Sequence, residues 1–251
     1  MNNLKISEAI FENHFELYEH FCKLNNCKMI STKYYKSTFN KKNSWPNFVY
    51  GINKILLEPE LNEILQQIEN KNIADIIIFN NEYEPCKTTL SNYGIKKIAV
   101  WEAMAINLNN YYSKTTVNEL IIKEIETNND ITNWIKIVQN KLKIEFTSEE
   151  IKNLISSPKT ELYIAYYNNI AVNSGLLFYN KQIVGIHMIA TELGYENKSF
   201  ANNLIMFMLN VAKEKNIDTA VLASTKMAVN LYNKIGFKKY DNFNIYWKIN
   251  Q

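Results

Sequence analysis

Residues 6–24, ISEAIFENHFELYEHFCKL, carry Ile10, Phe11, Phe15, Tyr18, Phe21 and Cys22 at helical spacing, so the pattern predicts a helix with Ser7 as its cap. His14 and His20 stand six apart and share no helix face, which reads as two satisfied or solvated histidines rather than a metal pair. Residues 25–46 are polar and basic and read as a loop. FVYGINKILL (48–57) reads as a strand, and Pro59 opens a helix through ELNEILQQIENK. ADIIIFN (74–80) is a short buried strand. A helix after Pro85 ends at Gly94, and IKKIAVWEAMAINL (95–108) is strand-like with branched and aromatic residues.

NNYYSKTT (109–116) lacks periodicity and is the expected connector. VNELIIKEI (117–125) reads as a strand; Asp130 and Ser148 are candidate caps of two following helices. TELYIAYYN (160–168), IAVNSGLLFYN (170–180) and KQIVGIHMIAT (181–191) form a three-strand meander turning at Asn168 and Asn169. A helix (199–214), a buried strand DTAVLAS (218–224), a helix (226–236) and terminal strand material follow. The expectation is an α+β fold, a mixed but mostly antiparallel sheet flanked by helices.

Composition narrows the function classes. The 251 residues suit two small domains or one large one, and a net charge of +3 without a basic stripe gives no sign of nucleic acid binding. No apolar run approaches membrane-spanning length and the first residues are not signal-like, so a cytoplasmic protein with no membrane partner is expected. Cys22, Cys27 and Cys86 read as free thiols, since an odd number without tight spacing suits neither a disulfide framework nor zinc; no metal is expected.

Between the third meander strand and the next helix lies GYENKSFANN (194–203), where a helix start offers free N–H groups and a positive dipole end to a phosphate. Further on, ASTKMAVNLYNKIGFKKY (223–240) carries Ala228, Leu231, Tyr232, Gly236 and Phe237. Together, residues 160–251 resemble the GCN5-related N-acetyltransferases (GNAT), whose late helix has Ala-x-x-Leu-Tyr and ends in Gly-Phe. That family's Arg/Gln-x-x-Gly-x-Gly/Ala loop falls on Glu196, Asn197, Lys198, Ser199, Phe200 and Ala201. The final small residue is kept, the first glycine is serine, and an acid replaces the basic or amide residue. LSNYGIKK (90–97) parallels YNKIGFKK (232–239), so residues 1–112 are expected to be a degenerate acetyltransferase-like half and 113–251 the catalytic half, an acyl-CoA N-acyltransferase fold in tandem.

The resemblance implies acetyl transfer from acetyl-CoA to a primary amine of a small molecule or protein. An inactive GNAT-like binding or regulatory module is the alternative. It implies that Ile189, Ala190 and Thr191 pair with the pantetheine arm and that residues 197–201 hold the pyrophosphate. Thr225 would touch the coenzyme or cap the next helix, and Tyr232 would be the general acid, unless it only packs. His187 shares strand parity with Ile189 and Thr191 and is the candidate base, with Glu192 a second; a structural histidine is the other reading. Backbone donors can serve without glycines if φ stays negative, and Lys198 could offset Glu196. The aromatics Trp45, Phe48 and Tyr50 could line an acceptor pocket or simply pack. Oligomeric state is left open.

Overall fold

The computed structural model describes residues 3–40, 45–52, 54–81, 83–85, 87–109, 111 and 119–248. The chain runs α1 (Asn3–Asn25), β1 (Lys28–Ser31), β2 (Lys36–Phe39), β3 (Phe48–Tyr50), α2 (Glu58–Glu69), β4 (Ile76–Asn80), α3 (Lys87–Asn92) and β5 (Ile95–Asn107). It continues through β6 (Leu120–Glu124), α4 (Asn128–Leu142), α5 (Ser148–Ile155), β7 (Thr160–Tyr167), β8 (Ile170–Asn180) and β9 (Ile183–Thr191). The last elements are α6 (Phe200–Glu214), β10 (Thr219–Thr225), α7 (Val229–Ile235) and β11 (Lys238–Lys248). Of the expected connector 109–116, only Asn109 and Tyr111 are described, and Cys86 lies outside the described residues.

All strands join one 11-stranded sheet in the order β1-β2-β3-β4-β11-β5-β10-β9-β8-β7-β6. Only β3 with β4 and β9 with β10 run parallel; the other neighbours are antiparallel. The fold is the mixed, mostly antiparallel sheet that the sequence predicts.

The element order repeats: β3-α2-β4-α3-β5 and then β9-α6-β10-α7-β11. The two halves have exchanged their last strands. β5 pairs with β10 over Thr219↔Asn107 to Thr225↔Trp101, and β11 pairs with β4 over Phe243↔Asn80 to Trp247↔Ile76. β5 and β11 then pair with each other, Lys238 opposite Ala105 and Lys248 opposite Ile95, so each begins where the other ends. The glycines that follow α3 and α7, Gly94 and Gly236, both have positive φ (71° and 115°), which is the helix-ending conformation glycine adopts most easily.

α1 ties the halves together. Its buried Ile10, Phe11 and Tyr18 pack on Ala103, Val221, Phe243 and Ile245 at the sheet centre, while Leu17 and Phe21 join Trp134 and Phe146. Trp45, Phe48 and Tyr50 pack around Tyr18, with Tyr18 stacked on Phe48 at 4.8 Å, so these aromatics are packing residues. Several local expectations are corrected. Ser7 lies inside α1 and donates to Asp241 Oδ2 rather than capping. The polar stretch 25–46 contains the β1–β2 hairpin, and the strand expected over 48–57 stops at Tyr50. The caps of α4 and α5 are Thr127 and Thr147; Asp130 and Glu150 answer them from the third helical position. Among the described residues, no helix is long and apolar enough to cross a membrane, and no cluster of His, Cys, Asp or Glu could hold a metal.

Candidate active site

The site begins with a bulge. β8 and β9 pair Ser174↔Ala190 and Leu176↔His187, so Met188 and Ile189 oppose the single residue Gly175. Met188 takes φ +52° to make the extra step. The bulge is braced: Ser174 Oγ donates to Met188 O at 2.9 Å, and Trp134 Nε1 donates to Gly175 O at 3.2 Å. A Cβ at Gly175 would sit 2.7 Å from Met208 Sδ, so a side chain there would have to displace the end of Met208.

The bulge overturns the parity expected of His187. His187 faces α1, with Nε2 3.3 Å from Asn13 Oδ1, whereas Ile189 packs on the α6 side beside Met208. His187 and Ile189 therefore lie on opposite faces of β9. His187 is 8% exposed, and burial first, then the neighbouring His14, hold it well below the ordinary histidine range. Glu192, the other candidate base, accepts from Asn140 Nδ2 at 3.0 and 3.2 Å and from Leu193 N at 3.0 Å.

Next to the bulge the sheet opens. β9 and β10 pair only at Ile183↔Thr219, Val184↔Ala220 and Gly185↔Val221, although β9 runs on to Thr191 and β10 to Thr225. The β10-facing backbone edge of Ile186–Thr191 thus has no ladder partner, the condition under which an extended ligand can add as a strand.

The loop beyond β9 holds its shape without the expected glycines, but not with negative φ. Gly194, Asn197 and Ser199 have φ of 84°, 62° and 61°. Ser199 is the left-handed residue preceding α6; its carbonyl accepts from Asn203 N at 3.0 Å and Asn203 Nδ2 at 2.8 Å. Left-handed residues flanking Lys198 curl the backbone so that successive N–H groups can converge on an anion. Glu196 is not offset by Lys198, whose ammonium lies over the Tyr195 and Tyr167 rings. Its partner is Lys141 on α4, Nζ to Oε1 3.0 Å, and its other oxygen accepts from Gly194 N at 2.8 Å. These contacts, Lys141 foremost, lower its pKa.

A cleft of about 800 Å³ lies against this loop, lined by Thr191, Glu196, Asn197, Ser199, Phe200, Ala201 and Asn202 on one side and Leu231, Lys234 and Ile235 of α7 on the other. The first turn of α6 carries no acid, and its residues Phe200, Ala201 and Asn202 line this space; the first N–H groups of a helix have no acceptor within it. Tyr111, Tyr195 and Met206 complete the wall. Sequence reasoning missed Lys141, Lys234, Tyr111 and Asn13: Lys234 lies inside the late motif but at a position the motif does not specify, and the others belong to no motif and come from elements distant in the chain.

Tyr232 on α7 is 6% exposed, next along the helix from the cleft-lining Leu231, with its ring edge-on to Phe237 at 5.7 Å. Burial raises its pKa above the ordinary tyrosine value. Thr225 ends β10 exposed; the helix cap is Ala228, whose N–H donates to Thr225 O at 2.9 Å, so Thr225 does not cap α7. Ala190 is buried, and its carbonyl accepts from Asn173 Nδ2, which also donates to Thr191 Oγ1 at 2.7 Å.

Residues 123–244 match the family model described as an acetyltransferase (GNAT) domain. In structure the chain is similar to a GCN5-related N-acetyltransferase from Kribbella flavida, with TM-score 0.70 and 8% identity over 91% of this chain and 92% of that one. It is also similar to a GCN5-related N-acetyltransferase from Sphaerobacter thermophilus, with TM-score 0.62 and 12% identity over 79% and 70%. A tandem GNAT protein from the clavulanic acid biosynthesis pathway aligns with TM-score 0.55 and 7% identity over 84% and 77%. At these identities the likenesses establish the fold. A search of curated proteins finds no match. The C-terminal half of this chain, residues 123–244, is a GNAT-family acyltransferase domain.

Proposed function

We propose that this protein moves the acetyl group of acetyl-CoA to a primary amine of a small molecule or protein. The observation that carries the proposal is the opening between β9 and β10 beside a cleft lined by the first turn of α6. The pyrophosphate sits on the N–H groups of residues 197–201, with Lys234 on the facing wall. The pantetheine arm runs along Ile189, Ala190 and Thr191, past Thr225 at the end of β10. The sulfur then reaches Tyr232, a phenol that burial keeps protonated and able to quench the leaving thiolate. The amine arrives at the opposite face of the sheet, where His187 is a neutral imidazole able to take its proton.

Residues 113–251 are the catalytic half in this reading, and residues 1–112 an acetyltransferase-like half that has lost the coenzyme. The first turn of α2, which stands where α6 stands in the repeat, carries Glu58, Pro59 and Glu60. Two carboxylates and a missing N–H oppose an anion there. One coenzyme per chain follows. Acetyl-CoA supply suits the cytoplasm as the site of action.

The competing idea, an inactive binding module, drew on Glu196. Pairing with Lys141 offsets its repulsion toward phosphate, which favours the enzyme. Thermal shift with acetyl-CoA tests coenzyme binding, because a ligand of the folded state raises Tm. Thiol release from acetyl-CoA with spermidine or a lysine peptide then tests transfer. No shift at millimolar acetyl-CoA would sink the proposal.

A further inference from the structure

We infer that Asn13, on α1 and outside the family-matched segment, is a positioning residue that locks His187 in one tautomer, leaving the Nδ1 lone pair to take the acceptor's proton. The inference rests on the transferase reading above, but its central claim is a property of the free protein.

Asn13 is 1% exposed, and its Nδ2 lies 3.3 Å from the carbonyl oxygen of Phe178. A carbonyl only accepts, so the NH2 end of the amide must face Phe178. The amide oxygen is thereby turned to His187 Nε2, 3.3 Å away. Oxygen only accepts as well, so Nε2 must carry the hydrogen. In a neutral imidazole that places the lone pair on Nδ1. Burial keeps the ring neutral, as the desolvated environment of both His187 and His14 requires.

Gly185 shows that the arrangement is built into the strand. A Cβ there would stand 2.0 Å from Asn13 Oδ1 and 2.2 Å from His187 Nε2. Any side chain would part the two residues, so the glycine is the gap through which the helix reaches the histidine. Gly185 is also the last β9 residue paired with β10, which sets His187 just inside the opening of the sheet. His14, the next residue of α1, lies ring to ring with His187 at 5.2 Å.

In the reaction, the neutral amine nitrogen bonds to the thioester carbon, and its proton passes to His187 Nδ1. The C–S bond breaks, and the thiolate takes the proton of Tyr232. Solvent returns the proton from imidazolium to phenolate, so both groups are restored.

The chain has three histidines, His14, His20 and His187, so nitrogen-15 NMR can assign each by single substitution. We expect His187 in the wild-type protein to be the Nε2–H tautomer, and Asn13→Ala to give a mixture. Turnover of acetyl-CoA with a lysine peptide should fall roughly 10- to 100-fold in that variant, with the acetyl-CoA thermal shift kept. An Nδ1–H tautomer in the wild type would overturn the inference outright. So would Asn13→Ala with tautomer and turnover unchanged. A lost tautomer with unchanged turnover would remove His187 from proton transfer, while the thermal shift would leave coenzyme binding standing. Asn13→Leu, which keeps the volume and removes both hydrogen bonds, serves if Asn13→Ala does not fold.

Discussion

Tyr232→Phe separates chemistry from binding and from folding. The substitution removes one oxygen and keeps the ring against Phe237, 5.7 Å between centroids. Desolvation by burial is what raises this phenol, with no hydrogen bond behind the shift. Losing the hydroxyl should therefore change stability by less than about 1 kcal/mol, which for a chain of this size moves Tm by no more than about 2–4 °C. Loss of a general acid typically costs 10²- to 10⁴-fold in turnover, about 2.7–5.5 kcal/mol in the barrier. Coenzyme affinity should hardly move, because the phosphates sit on the loop 197–201. The assays are thiol release from acetyl-CoA with an amine and thermal shift with the coenzyme. Turnover within about two-fold of wild type would refute the acid role. A loss matched by disappearance of the coenzyme shift would show that Tyr232 serves binding instead. The pH profile adds a sign. Because the folded pKa is raised, Tyr232 stays protonated through neutrality, and no loss of activity from its ionisation is expected below pH ~10.

Phe243→Ala tests the exchanged strands: Phe243 is fully buried, 4.4 Å from the Phe11 ring, so the change should cost about 3–5 kcal/mol. Calorimetry should show one unfolding transition displaced as a whole; two transitions, one unmoved, would mean that the halves unfold independently. Lys141→Ala should weaken acetyl-CoA binding and Glu196→Gln should strengthen it, read by titration calorimetry, since the first unmasks a carboxylate at the cleft and the second removes it. Unchanged affinity in both would place the phosphates elsewhere. His14 is lowered to about 4 by burial, so the unfolded chain takes up a proton that the folded chain refuses. Stability is then full above pH 6.5 and falls as pH drops from 6.5 toward 4, a slope that urea midpoints should show and His14→Gln should reduce.

The sheet of the second half was legible because β7, β8 and β9 are long and strongly patterned, and the Asn168–Asn169 turn is marked by residues that tolerate positive φ (50° and 62°). β1 and β2 were not, because KMIS and KSTF are four-residue strands with exposed or polar positions and no clean alternation. Strand parity predicted one face for His187 and Ile189, and a single left-handed residue, Met188, reversed it. The partner of Glu196 was sought two residues away at Lys198 but sits on α4, because folding brings charges together without regard to sequence distance. The loop 196–201 was placed without its glycines, but its backbone was expected at negative φ, whereas Asn197 and Ser199 supply left-handed turns in place of glycine. The exchange of β5 and β11 has no local signature, since either strand would read the same in its own half.

That exchange sets an order of events during synthesis. β4, with Ile76, Ile77, Ile78 and Phe79, leaves the ribosome long before residues 243–247, which pair one of its edges. Until residues 243–247 have been made, an apolar strand edge waits uncovered, the kind of edge that recruits neighbouring chains. β4 cannot complete its pairing before β11 exists, and a nascent chain stalled before residue 243 should be a substrate for chaperones or proteases rather than a smaller enzyme.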